Sequence, residues 1–207
     1  MKKFLGLVFL WVSIAMGNAQ EFKYGISGGI HKTSIVGIHD YSEGKFGGNL
    51  GFFANFTLVE NDVWDSAWLY LEPRIEYSMQ GENANPPQGY QKFHNDYVAM
   101  SVNLKYFFHK GNLKRDVFIF AGPRFEYLVR EHRDGPPNYA MFEGMEDTIT
   151  KFNYGVTFGT GLKISQQWEA TLRYDWGFKE VYPDYTHKHT FNRLLSLGFN
   201  YYISSNW

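Results

Sequence analysis

The 207-residue sequence contains no cysteine, which excludes a disulfide framework, a thiolate metal site and a lipid-modified cysteine. Beyond the first residues it has no apolar run of the ~20 residues that a membrane-spanning helix requires. It also lacks a charge excess: 20 Lys and Arg stand against 21 Asp and Glu, a net charge of −1. A nucleic-acid partner would need a basic footprint, and none is present. Mean hydropathy is −0.38, the value of a water-soluble chain, yet 19% of the residues are aromatic.

What is present begins with a leader. Lys2 and Lys3 precede a mainly apolar stretch over 4–16, and Gly17-Asn18-Ala19 supplies small residues for cleavage. Residues 1–19 therefore read as a secretory signal peptide and 20–207 as one barrel domain. The apolar stretch is too short for an anchoring helix. Loss of Lys2 and Lys3 leaves the mature chain slightly more acidic.

From about residue 22 the sequence alternates apolar and polar residues in eight segments, near 22–30, 48–58, 68–79, 97–107, 117–130, 152–164, 168–178 and 191–203. Successive strand side chains point to opposite faces. One face thus collects Leu50, Phe52, Ala54, Phe56 and Leu58, or Val98, Met100, Val102, Leu104 and Tyr106. The other collects Glu72, Arg74 and Glu76, or Ser101, Asn103 and Lys105, with Arg130 assigned to the same inward set. Roughly ten-residue segments of this kind are the signature of transmembrane strands, and in them hydropathy averages out.

The predicted fold is all-β, an eight-stranded antiparallel transmembrane β-barrel with a filled polar interior. Links near 59–66, 108–116 and 165–167 are short, whereas 31–46, 80–92, 131–150 and 180–189 are mostly longer, matching short periplasmic turns and long outer loops. Tyr106, Trp168 and Tyr201 fall on the inner rim and Tyr77, Tyr127, Tyr154, Trp176 and Phe191 toward the outer rim, where interfacial aromatics collect. Trp68 has the inward parity, for which the pattern offers no reason.

Three rising strands repeat one element: Arg74-Ile75-Glu76-Tyr77, Arg124-Phe125-Glu126-Tyr127 and Arg173-Tyr174-Asp175-Trp176. Each sends a base and an acid inward and an aromatic outward. With Glu72, Lys105, Lys163 and Glu169 these residues are expected to form a near-neutral ion-pair network at similar height across the lumen. An eight-stranded interior is just wide enough to be filled by side chains, so a general diffusion channel is disfavoured.

Candidate chemistry is sparse. His39-Asp40, His94 with Asp96, His132 with Asp134, and His187 with His189 lie near the outer rim without a nucleophile motif. His187 and His189 near Asp184, or Glu143, Glu146 and Asp147, form no specific metal spacing. Neither catalytic residues nor cofactor or metal ligands are assigned. The segments 82–90 and 131–139 both carry Pro-Pro followed closely by Tyr, a stiffened contact surface.

The Asn18-Ala19-Gln20 leader end, Leu71-Glu72-Pro73-Arg74-Ile75-Glu76-Tyr77, Phe120-Ala121-Gly122-Pro123-Arg124, Gly159-Thr160-Gly161-Leu162 and the closing aromatic strand resemble the PorT-like family of small outer-membrane β-barrels, with OmpX-like architecture. Met100-Ser101-Val102 stands where that pattern would have a proline. The resemblance implies an outer-membrane location and, for particular members, an association with type IX secretion and gliding machinery. The expected protein is a non-enzymatic, monomeric outer-membrane barrel with a structural or loop-mediated interaction role. Its expected partners are outer-membrane lipid and an envelope or surface protein. The alternatives are a barrel enzyme acting on lipid or peptide at the outer rim, and a soluble lipocalin-like barrel with an apolar lumen. A closed transmembrane barrel is expected to shift in gel migration on boiling and to partition with outer membranes; an unshifted, freely soluble protein would overturn this reading.

Overall fold

The computed structural model describes residues 22–36, 42–61, 66–84, 90–109, 115–134, 149–183 and 189–203. The predicted signal peptide lies outside them. Eight strands, β1 (Phe22–Val36), β2 (Ser42–Asn61), β3 (Ser66–Ala84), β4 (Gln91–Phe107), β5 (Asp116–Asp134), β6 (Phe152–Lys163), β7 (Trp168–Glu180) and β8 (Phe191–Tyr202), pair antiparallel in chain order. β8 returns to β1 and closes the barrel.

The pairing fixes the stagger. From Lys32 the register passes through Leu195, Tyr174, Phe158, Ala121, Leu104, Leu71 and Phe56 and re-enters β1 at Phe22, a displacement of ten residues (32 − 22). Strands so staggered tilt by about 35–45° from the barrel axis. An even displacement also preserves parity, so each side chain that starts inward meets inward neighbours all the way round.

Parity decides the solvent. Leu50 and Phe52 are 68% and 66% exposed on the outer wall, while Glu72 and Lys105 are 2% and 0% exposed inside. A lipocalin-like barrel has the reverse arrangement, and that alternative is excluded. Rings cluster at the end bearing the short turns, where Trp168 and Tyr201 lie 4.8 Å apart. Trp68 is half-buried there, packing against the buried aromatics Tyr70, Phe107, Phe118 and Phe120 and edge-on to Tyr106 at 5.4 Å.

Several boundaries differ from the sequence reading. β1 to β5 run well past their expected outer ends, so 31–46 and 80–92 are mostly strand, joined by 37–41 and 85–90. Apolar alternation marks only the lipid-facing stretch of a strand, whereas backbone pairing continues into the polar projection beyond it. β5 also carries an extra residue: Asp96 pairs with Arg130 but Tyr97 with Leu128. This bulge at Val129 resets the parity, so Arg130 points outward rather than into the lumen.

Glycine on β6 serves packing. Phe118 pairs with Gly161 and Phe120 with Gly159, and a Cβ at these glycines would sit 2.2 Å from the Phe118 ring and 2.6 Å from the Phe120 ring. The rings lie flat over the bare backbone of the neighbouring strand. Gly161→Val is expected to lower stability by about 1–3 kcal/mol through overpacking, measured as a lower urea midpoint for the barrel refolded in vesicles.

Candidate functional site: the lumen and the outer rim

All ten residues expected in the ion-pair network are buried, and the structure sorts nine of them into two tiers. In the tier nearer the short turns, Glu72 accepts from Arg74 Nη2 at 2.8 Å and from Lys105 Nζ at 3.2 Å. Lys105 also donates to both oxygens of Glu169, at 2.9 and 2.7 Å. Tyr202 completes this tier: its hydroxyl donates to Glu169 Oε1 at 2.9 Å and accepts from Lys105 Nζ at 3.1 Å and Asn55 Nδ2 at 2.5 Å. Asn200 bridges Glu169 and Arg74 at 3.0 and 3.1 Å. Lys163, the tenth residue, is buried on β6 with Asp116 and Glu169 as its register partners.

The second tier is organised by Glu76. Arg173 binds it as a fork, Nη1 to Oε2 at 2.9 Å and Nη2 to Oε1 at 2.7 Å. Arg124 Nη1 donates to Oε1 at 2.7 Å and Asn49 Nδ2 to Oε2 at 3.0 Å. One carboxylate thus accepts four hydrogen bonds from three strands. Arg124 Nε continues to Glu126 at 2.9 Å, and Asp175 lies 3.5 Å from Arg124 and 3.3 Å from Arg173. Arg74 does not join its two counterparts; it turns to Glu72 on its own strand. The three repeats therefore do not meet at one height.

Sequence reasoning overlooked the apolar closures on either side of these charges. Toward the short turns Tyr70, Phe107, Phe118 and Phe120 form a buried aromatic cluster, with Phe53 edge-on to Tyr202 at 5.0 Å. The Lys105 ammonium sits 4.2 Å from the Phe118 ring centroid, a cation–π contact inside the lumen. Parity held the signal, because Phe107, Phe118 and Phe120 share the inward face with Lys105. At the other end Ile35, Tyr97, Leu128, Ile149, Val181 and Tyr182 form a second plug. Ile149, Val181 and Tyr182 come from connections, which no strand periodicity reports. Burial raises the Tyr182 phenol above its ordinary value and keeps it neutral.

Side-chain packing leaves little space between the plugs. Among the described residues, small cavities lie beside Arg124, Glu126, Asp175 and Asn192 and beside Asn49, Arg74, Arg173 and Asn200, each with room for about one water molecule.

Two of the described histidines, His94 and His132, share one carboxylate, and His109 and His189 each have their own. Lys45 Nζ lies 2.7 Å from His94 Nδ1 and donates to the carbonyls of Gln80 and Phe93, each at 3.1 Å. An ammonium can only donate, so His94 Nδ1 carries the lone pair and Nε2 the proton. That Nε2 is 3.2 Å from Asp134 Oδ2, and His132 Nε2 is 2.9 Å from Oδ1 of the same carboxylate. His189 meets Glu180, and His109 meets Asp116 at 3.0 Å. Among the described residues no three His, Asp or Glu side chains are arranged to hold a metal ion. His39, Asp40, Glu143, Glu146, Asp147, Asp184, His187 and both Pro-Pro pairs lie outside the described residues.

An apolar wall, interfacial rings and a closed charged lumen are the attributes of a barrel built for lipid, and residues 18–182 match the family described as outer membrane protein beta-barrel domain. The chain belongs to that family. It is an integral β-barrel protein of the bacterial outer membrane. No curated protein matches this outer-membrane barrel in sequence. Among solved structures it is similar to Ail, the attachment invasion locus protein of Yersinia pestis (11% identity, TM-score 0.45, 89% of this chain and 100% of that one). It is also similar to Neisserial surface protein A (12% identity, TM-score 0.46, 87% and 96%). A third similarity is to OprG of Pseudomonas aeruginosa (8% identity, TM-score 0.48, 88% and 94%).

Removing Glu76 leaves two buried guanidinium groups without their shared acceptor. Breaking a buried pair in this way costs about 3–5 kcal/mol. Glu76→Ala should lower the urea midpoint of the refolded barrel accordingly, whereas Lys92→Ala, at an exposed position, should change stability by no more than about 0.5 kcal/mol.

Proposed function

We propose that this protein is a sealed, non-enzymatic scaffold of the outer membrane, a PorT-like barrel that holds an outward-projecting sheet and its loops for contact with an envelope or surface protein. Residues 1–19 serve it as a signal peptide. The observation that carries the proposal is the contrast between lumen and projection. Two apolar plugs enclose the ion pairs, while β3 and β4 stay paired from Tyr77–Val98 up to Ala84–Gln91 and β4 and β5 up to Lys92–Asp134. β6 begins only at Phe152, opposite Tyr127, so the projection is one-sided.

The enzyme reading has less support. Among the described residues no serine or threonine hydroxyl hydrogen-bonds to a histidine; the imidazoles engage carboxylates, Lys45 and the Met79 carbonyl. A triad needs its nucleophile beside the base.

In planar bilayers the wild-type barrel is expected to show no steady conductance. Replacing 85–89 and 135–148 together with Gly-Ser linkers should preserve heat-shifted migration while abolishing in-cell crosslinking from the projecting strands. A stable open channel would remove the sealed-scaffold reading, and undiminished crosslinking would remove the loop-mediated one.

A further inference from the structure

Some charges beside the aromatic belt of the outer wall already have partners. On β3 to β5, for instance, the Tyr77 hydroxyl donates to Asp96 at 2.7 Å and Arg130 lies 3.8 Å from the same carboxylate. On the opposite side, where β7, β8, β1 and β2 meet, several cations have no such partner among the described residues; Lys179 lies near the end of β7, while Lys32 and Arg193 face outward close together. Lys32 pairs in register with Leu195 and Phe46, and Arg193 with Trp176 and Ser34. The two therefore occupy adjacent strands two residues apart on the same outer face, a diagonal separation that long side chains span.

Aromatic rings hold both in place. The Arg193 guanidinium lies 4.6 Å from the Trp176 ring centroid and 5.5 Å from that of Phe191, and Lys32 Nζ is 5.9 Å from that of Phe46, itself 74% exposed. One Arg193 nitrogen, Nη1, is committed to the Gly177 and Asn192 carbonyls at 2.7 and 3.0 Å. Among the described residues no carboxylate lies within 4.0 Å of either cation, and the acid at the end of β7, Glu180, is engaged by His189. Immediately below, Ile30, Leu50, Leu195 and Leu197 form an exposed apolar surface.

A pair of cations at the headgroup level, with rings beside it and an acyl-compatible wall beneath, matches an anionic amphiphile. We propose that Lys32 and Arg193 form a binding site for the phosphate group of an outer-leaflet lipid, whose chains lie along the β8–β1–β2 wall. Arg193 supplies its remaining planar N–H donors to phosphate oxygens, and Lys32 contributes a second, mobile charge. Both cations lie on strands, Lys32 on β1 and Arg193 on β8.

The test uses the full barrel in detergent micelles, with native mass spectrometry counting retained lipid. The probes are lipid A carrying its phosphates and the same lipid enzymatically dephosphorylated. Wild type should retain the phosphorylated form roughly tenfold better, the scale of one charge-assisted contact. K32A/R193A should lose that preference while keeping its heat-shifted migration, and R130A should keep both. Equal retention of the two lipids by wild type, or an undiminished preference in K32A/R193A, would overturn the site. If the double variant does not refold, Lys32→Gln and the wild-type comparison decide in the same sense.

Discussion

Closing eight strands with a ten-residue stagger leaves an interior that side chains must fill, and every charge placed there must find its counterion within it. Transferring an ion into such a space costs several kcal/mol unless paired and hydrogen-bonded. The arrangement around Glu76 follows from that constraint. Two arginines and an asparagine saturate its oxygens, and each arginine also lies near a further acid. Amides of Asn49, Gln80 and Asn200 donate to the buried carboxylates, and Asn55 and Asn192 extend the network to Tyr202 and Gln80. Lumenal polarity is thus a network in which neutral bridges matter as much as formal charge.

The apolar closures complement this chemistry. Rings toward the periplasm and a mixed aliphatic and aromatic plug toward the outside keep the ion pairs in a low-dielectric space, where attraction between unlike charges is strongest. The two β6 glycines permit the inner closure, because they let Phe118 and Phe120 lie against the strand beside them. With an apolar cluster on each side of the ion pairs, the proposed role rests on the projecting β2–β5 sheet rather than on passage of solutes.

Strand count, inward and outward faces, aromatic rims and the outer-membrane location were legible because each rests on a two-residue period or on composition. Features that depend on register were harder to read. The bulge that turns Arg130 outward is invisible to a parity count that assumes an unbroken strand. The descent of Arg74 to Glu72, away from Arg124 and Arg173, follows from stagger. Strand ends were underestimated wherever backbone pairing outlasted the apolar band. The outer plug escaped notice because Ile149, Val181 and Tyr182 belong to connections, while Phe53 and Phe107 were overlooked on an interior pictured as polar throughout.

The closing strand gives the network a temporal dimension. Tyr202 and Asn200 of β8 complete a cluster whose charges come from β3, β4 and β7, and Glu76 of β3 waits for Arg173, 97 residues later. A nascent sheet lacking its last strands would expose unmatched carboxylates and guanidinium groups along its concave side. Such a half-built sheet is poorly soluble in hydrocarbon, so premature burial in lipid is opposed until the final hairpin arrives. The same contacts that fill the finished barrel are thus satisfied only when its first and last strands stand side by side.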